Sequence, residues 1–299
     1  MPEPSPQEQT FRASDGYPLQ TTVWPAESEA CGHLVVLHGV QSHSGWYHRL
    51  GANLARAGLT ASFPNRRGSG PNQQDRGHAP TARRLVDDVV EWIEDVRSRD
   101  PGLPVGLAGI SWGGKIAVLT TARRPDLVDA LALICPGLEP QVGVTFREKL
   151  KIAKAVFTDR RKTFPIPLAD PALFTDSPEK QEFIRNDPLS LRDATAGLLL
   201  ASFLIDRSIK RSAKKLHRPA LLMLGGRDRI IDNARTRAYF DRIAAEDRSV
   251  IEYPEGCHTF EFDPDPDRYA RDLVGWLQPR LKPREADASG RGRPAPSAI

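Results

Sequence analysis

The sequence predicts an α/β protein: a mainly parallel sheet with helices on both faces, interrupted by one long helical insertion. Three observations carry this expectation. Short apolar runs of strand length alternate with longer runs of helical periodicity, the pattern of parallel strands joined by crossover helices. Several of the apolar runs are continuous rather than alternating, as strands buried on both faces require. The rhythm stops at residue 137, no clear strand is expected before residue 216, and it then resumes.

Taken in order, "TFRAS" and "PLQTTVW" flank Asp15-Gly16, a turn signal, and read as an antiparallel pair. "HLVVLHG" is a short continuous strand. "SGWYHRLGANLARAG" follows as a helix with Leu50, Leu54 and Ala57 on one face and Gly58 as its stop. "LTASF" is the next strand. In "TARRLVDDVVEWIEDVRSRDPG", Leu85, Val89, Ile93 and Val96 share a helical stripe, and Asp-Pro-Gly ends it. "PVGLAGI" is a strand, "WGGKIAVLTTARRP" a helix stopped before Pro125, and "ALALICPG" a strand. After the insertion come strand "PALLMLGG", helix "NARTRAYFDRIAAE", strand "SVIEYPEG" and helix "DRYARDLVGWLQPRL". The chain thus divides into a flexible start (1–9), a core in two pieces (10–136 and 216–281), the insertion (137–215) and a disordered tail (282–299) rich in Pro, Gly, Ala and charge.

The 299 residues suffice to bury a sizeable core, and 39% hydrophobic with 27% charged residues is ordinary for a soluble globular protein. No apolar run reaches the roughly 18 residues needed to cross a bilayer. The opening "MPEPSPQEQT" is polar and lacks a signal-peptide stretch, so the expected setting is the cytoplasm. Cys31, Cys135 and Cys257 are too few and too scattered for a disulfide framework or a zinc site and read as free thiols. The formal charge of +4 is unevenly placed: the insertion carries +5, the segment from Pro279 onward +3, and the remainder −4. A nucleic-acid binder needs a basic face on its folded body, so no nucleic-acid partner is expected.

The chemistry gathers at "VGLAGISWGGKIAV". Gly109-Ile110-Ser111-Trp112-Gly113 is G-x-S-x-G between an expected strand and an expected helix, the context in which the pattern means a nucleophile elbow. The glycines permit a tight turn and close packing, and the helix that follows points its partial positive charge at the serine. A serine hydroxyl needs a base, and the base needs a third group to orient it. Asp228 lies just past one late strand and His258 just past the next, in the chain order this architecture uses. Asp232 fits a helix N-cap, which frees Asp228; Asp263 is the competing acid. His33, His43, His48, His78 and His217 read as surface or packing residues. Oxyanion donors are expected from the backbone N–H of Trp112 and of Val40, which follows His38-Gly39; His38 itself reads as shaping that turn.

These residues together resemble the α/β-hydrolase superfamily and, within it, the monoglyceride-lipase and lysophospholipase-like group, the serine aminopeptidase hydrolase domain. "SDGYPLQTTVWP" resembles the group's opening hairpin, "HGVQSHSGWY" its HG motif followed by H-S-x-x-Y, and "GGRDRIID" and "GCHTFEFD" its acid and histidine loops. The resemblance spans Thr10 to Leu281. In "NRRGSGPN" Ser69 stands where the group's loop usually has histidine, so no role is carried onto that loop. The resemblance implies an α/β-hydrolase fold with a mostly parallel eight-stranded sheet and a helical lid. It also implies hydrolysis of carboxylic esters such as a monoacylglycerol or lysophospholipid, a small-molecule acyl ester as the partner, and no metal or organic cofactor. Thioesters, amides and carbon–carbon bonds, or transfer to another acceptor, remain open on such a fold, as does a non-catalytic binding role.

Within the insertion, Thr145 and Glu148 form a capping-box pair. Phe146, Leu150, Ala153 and Phe157 then share one face, with Arg147, Lys151 and Lys154 beside it. The preferred expectation is a helix packing this face inward with a solvated basic side; the alternative is transient contact with an anionic membrane surface. "AGLLLASFLI" (Ala196 to Ile205) is apolar nearly all round and is expected to be buried under the lid or to line an acyl pocket.

Overall fold

The computed structural model describes residues 4–281. The elements run β1 (Gln7–Arg12), β2 (Pro18–Trp24), β3 (Gly32–Leu37), α1 (His48–Arg56), β4 (Leu59–Pro64), α2 (Ala82–Arg99), β5 (Val105–Ile110), α3 (Trp112–Arg123) and β6 (Ala130–Ile134). They continue with α4 (Phe146–Thr158), β7 (Thr163–Pro165), α5 (Pro178–Asn186), β8 (Asp193–Thr195) and α6 (Ala196–Ile209), then β9 (Ala220–Gly225), α7 (Asn233–Phe240), β10 (Arg248–Tyr253) and α8 (Pro266–Leu277).

Eight strands form one sheet in the order β1-β2-β4-β3-β5-β6-β9-β10. Only the pairings of β2, with β1 and with β4, are antiparallel; from β4 to β10 every neighbour is parallel. The central strands β3, β5, β6 and β9 are buried along their whole length, which is why their sequences are apolar without alternation. The edge strand β1 is largely exposed and correspondingly polar. From β3 the chain steps one way through α1 to β4, then back across β3 through α2 to β5. Right-handed crossovers therefore put α1 and α2 on opposite faces; α8 packs with α1, and α3 with α2. The reversal makes the carboxyl ends of β3 and β5 neighbours at a topological switch point, where open α/β sheets place their ligands.

Three features differ from the sequence expectation. Strand β1 starts at Gln7, inside the stretch expected to be flexible, because residues Gln7 to Arg12 pair in register with β2; the tail at 282–299 lies outside the described residues. The insertion contains a two-stranded ribbon, β7 with β8, whose three-residue strands are too short to show a period. Finally, α4 is turned the other way. It buries Ala155, and its partly buried Ile152 and Val156 pack on the small cluster around Phe164 and Ala196. The apolar face points out instead: Phe146 is 74% exposed, Leu150 57% and Phe157 90%. The capping box at Thr145 and Glu148 is formed. Helix α6 likewise buries one side, including Leu198, Ala201 and Ile205, but leaves Phe203 and Leu204 exposed. It is fastened to α3 by Lys115 Nζ to Asp206 at 2.5 Å and by Trp112 Nε1 to Ser202 Oγ at 3.0 Å.

Candidate active site

Ser111 sits on the bend between β5 and α3 with φ 51° and ψ −123°, a left-handed setting that costs a serine about 1–3 kcal/mol. The surroundings enforce it. The Ser111 N–H donates to the Ile134 carbonyl at 3.0 Å, and the Ser111 carbonyl accepts from Gly114 at 2.9 Å and Gly137 at 2.7 Å. A Cβ at Gly113 would stand 2.3 Å from the Leu37 carbonyl oxygen, so only glycine lets α3 start this close to β3. Trp112 opens α3, and its N–H is one of the four a helix cannot bond internally.

The two late loops deliver the other expected residues. His258 Nε2 lies 2.9 Å from Ser111 Oγ, and His258 Nδ1 lies 2.7 Å from Asp228 Oδ2. Both side chains are buried, His258 at 2% and Asp228 at 0% exposure. The other Asp228 oxygen accepts from the backbone N–H of Ile230 at 2.7 Å and of Ile231 at 3.0 Å. Burial alone would raise the Asp228 pKa, but the His258 imidazole and these hydrogen bonds outweigh it and hold the carboxyl below its usual value. Asp263, the competing acid, accepts from the Cys257 N–H at 3.3 Å instead, and burial pushes it up to about 6. Asp232 caps α7, accepting from the Arg235 N–H.

The loop after β3 closes against the serine: a Cβ on Gly39 would lie 3.3 Å from Ser111 Cβ and 3.6 Å from Ser111 Oγ. Three groups hold that loop. Ser42 Oγ accepts from the Gly39 N–H at 2.9 Å and meets the Tyr47 hydroxyl at 3.0 Å. His38 Nδ1 lies 2.8 Å from the Gly39 carbonyl, while its Nε2 accepts from the Arg66 N–H at 3.0 Å. The ring is therefore the neutral Nδ1–H tautomer, and burial keeps its pKa well below the ordinary value. Arg66, on which the sequence placed no role, also grips this loop. Its guanidinium donates to the carbonyls of Gly39 at 3.3 Å and Val40 at 2.9 Å and lies 4.9 Å from the Trp112 ring centroid. The Gly39 carbonyl and the Val40 N–H belong to one trans peptide, so fixing the carbonyl fixes the N–H in the opposite direction. Only the loop's position, at the end of the strand beside β3, could have hinted at this.

Other expected bystanders hold the frame. His33 bonds Ser62 Oγ at 3.0 Å and burial lowers its pKa to about 3. His43 Nε2 and Trp46 Nε1 both reach Asp187 Oδ2, at 3.0 and 2.7 Å, tying the insertion to the β3 loop. The cavity in front of Ser111 is lined by Gly39, Val40, Gln41, Ile110 and His258, and from the insertion by Leu168 and Phe174. Its volume of about 10 Å³ is at the limit of what one water needs. The Phe174 ring stands edge-on to His258 at 6.0 Å. Cys135 also approaches Asp228 and His258, the three potential ligand atoms lying within 4.8 Å of one another. Both His258 nitrogens are already engaged with Asp228 and Ser111, so this trio is poorly disposed toward a metal.

A serine on a strand–turn–helix elbow, with acid and histidine on the loops after β9 and β10, defines the α/β-hydrolase class. Within it, the chain belongs to the serine aminopeptidase S33 family, whose model matches residues 28–265. It is 26% identical over 275 residues to a monoacylglycerol lipase of Mycolicibacterium smegmatis, covering 92% of this chain and 98% of that protein. It is 27% identical over 252 residues to human monoglyceride lipase, covering 82% and 81% of the two chains. Among solved structures, a soluble variant of monoglyceride lipase from Saccharomyces cerevisiae superposes with a TM-score of 0.81 over 94% of this chain and 97% of that one. At 17% identity that likeness is one of fold. No helix among the described residues is long and apolar enough to cross a membrane.

Proposed function

We propose that the chain is a serine hydrolase of carboxylic acyl esters, monoacylglycerols foremost, acting through Ser111, His258 and Asp228. The observation that carries this is the continuous bonding from the Ser111 hydroxyl through both nitrogens of His258 to the ionised Asp228. Ser111 Oγ attacks the ester carbonyl as His258 Nε2 takes its proton. Asp228 holds the Nδ1–H tautomer and stabilises the imidazolium. The N–H groups of Val40 and Trp112 receive the oxyanion. The imidazolium gives its proton to the departing alcohol; water, deprotonated by the same nitrogen, then releases the acid and frees Ser111. The relatives' names support a monoacylglycerol over thioesters or amides.

In this reading residues 137–215 form a lid that must shift to admit substrate, since the cavity is close to filled, and Leu168 and Phe174 meet the acyl chain. An acyl methylene buried there contributes about 0.8 kcal/mol, roughly fourfold in kcat/KM. A panel of glycerol monoesters from acetyl to octanoyl, with a lysophospholipid included, is expected to show kcat/KM rising with chain length. A preference for acetyl would overturn the assignment of Leu168 and Phe174 as the surface that meets the acyl chain. Arg66 acts on the oxyanion donors. Arg66→Met is expected to lower kcat about tenfold, less than the loss of a whole donor, with KM little changed and Tm within a few degrees.

A second reading concerns the outer face of the lid. Phe146, Leu150 and Phe157 are exposed beside the exposed cations Arg147, Lys149, Lys151 and Lys154, the composition of a helix that rests on an anionic lipid surface. Replacing the three apolar residues with serine together is expected to weaken binding to phosphatidylglycerol-containing vesicles at least about tenfold; unchanged binding would remove this reading. An intracellular, cytoplasmic setting is supported by the three cysteines, all free, with Cys31 exposed.

A further inference from the structure

Gln41 follows the proposed oxyanion donor Val40 directly and is 1% exposed. Its backbone carbonyl accepts from the Leu191 N–H at 2.9 Å, which fixes the residue beneath the insertion. Its side chain is in a different position: neither Oε1 nor Nε2 has a hydrogen-bond partner, and both are shut away from solvent. A buried amide left this way is destabilising, because its groups have given up water without gaining a partner. Gln41 lines the same cavity as Ser111 and His258. Of the other polar side chains there, Ser42 is engaged with Gly39 and Tyr47, and His258 with Asp228 and Ser111. Leu168, Phe174 and Ile110 add only apolar surface.

The geometry points to Gln41 as a specificity-determining residue that pairs with a free hydroxyl of the substrate close to the scissile ester. A carboxamide offers a donor and an acceptor side by side, and a hydroxyl both donates and accepts from a single atom. A trans secondary amide directs its N–H and C=O to opposite sides and meets only one of the two. A site built to bond a hydroxyl strongly rejects the analogue that lacks it, because its own polar groups are then left unpaired. The assignment rests on the ester-cleaving reading of Ser111. The hydroxyl belongs either to the alcohol half, as in a partial ester of a polyol, or to the acyl half, as in a hydroxyacyl ester.

Two substrate pairs test this: 1-monooctanoylglycerol against propyl octanoate, and methyl 3-hydroxyoctanoate against methyl octanoate. The full chain is expected to prefer the hydroxyl-bearing member of one pair by at least about 10²-fold in kcat/KM, and the pair that shows it identifies the half. Gln41→Leu, and Gln41→Met as a second apolar replacement, are expected to bring that ratio to within about threefold of unity. Both should leave Tm equal or higher, since they remove an unpaired buried amide. A purely structural glutamine would instead give a lower Tm and equal losses on both members. Cleavage of all four esters without discrimination, or a ratio unchanged in both variants, overturns the role of Gln41 alone. Failure to cleave any of the four overturns the hydrolase reading beneath it.

Discussion

Ser111→Ala is expected to lower kcat on an acyl ester by about 10⁴-fold or more, with the Tm of the folded protein almost unchanged. The hydroxyl contributes nothing to the bend itself. The turn is held by backbone bonds from Ser111 to Ile134, Gly114 and Gly137, all of which alanine keeps. The strain at φ 51° is carried by the Cβ, which alanine also keeps. Ser111→Gly removes that Cβ and is expected to be the more stable of the two by about 1 kcal/mol. A serine kept at this strained bend therefore costs stability and places its hydroxyl at the switch point between β3 and β5. Rates from an esterase assay and a thermal melt of both variants check the two statements together.

Asp228→Asn should cost about as much, on the order of 10⁴-fold in kcat, and for a reason visible in the bonding. The N–H groups of Ile230 and Ile231 both donate to Asp228 Oδ1. In the asparagine variant they keep the carbonyl oxygen on their side, so the amide nitrogen turns to His258. An N–H donor facing Nδ1 forces the proton onto Nε2, and a protonated Nε2 has no lone pair for the Ser111 proton. KM should barely move, because Asp228 is buried behind the imidazole. Asp263→Asn, by contrast, disturbs only a contact with the Cys257 N–H and is expected to stay within a few-fold of the parent. Steady-state kinetics on the two variants separate the assignments: a larger loss at Asp263 would reverse them.

The parts of the molecule legible in the sequence are those governed by period and by special backbone. Strands β3, β5, β6 and β9 announce themselves because burial on both faces leaves no room for polar residues. The elbow announces itself because only glycine at 113 avoids the Leu37 carbonyl. The sequence favours Asp228 over Asp263 by its place just past a late strand, but which acid meets His258 is decided by the path of the loops. The outward turn of α4 was not legible either: periodicity shows that Phe146, Leu150 and Phe157 share a face but carries no information about where that face points. The grip of Arg66 on Gly39 and Val40 leaves no trace in local pattern, because side chain-to-carbonyl bonds between loops follow no spacing rule.

The most direct measurement on the proposed site is covalent. Folded protein treated with a fluorophosphonate, digested and mapped by mass spectrometry should carry one adduct, on Ser111, and Ser111→Ala should carry none. An adduct on a different serine, or no labelling of protein shown to be folded, would contradict the assignment of Ser111 as a nucleophile activated by His258.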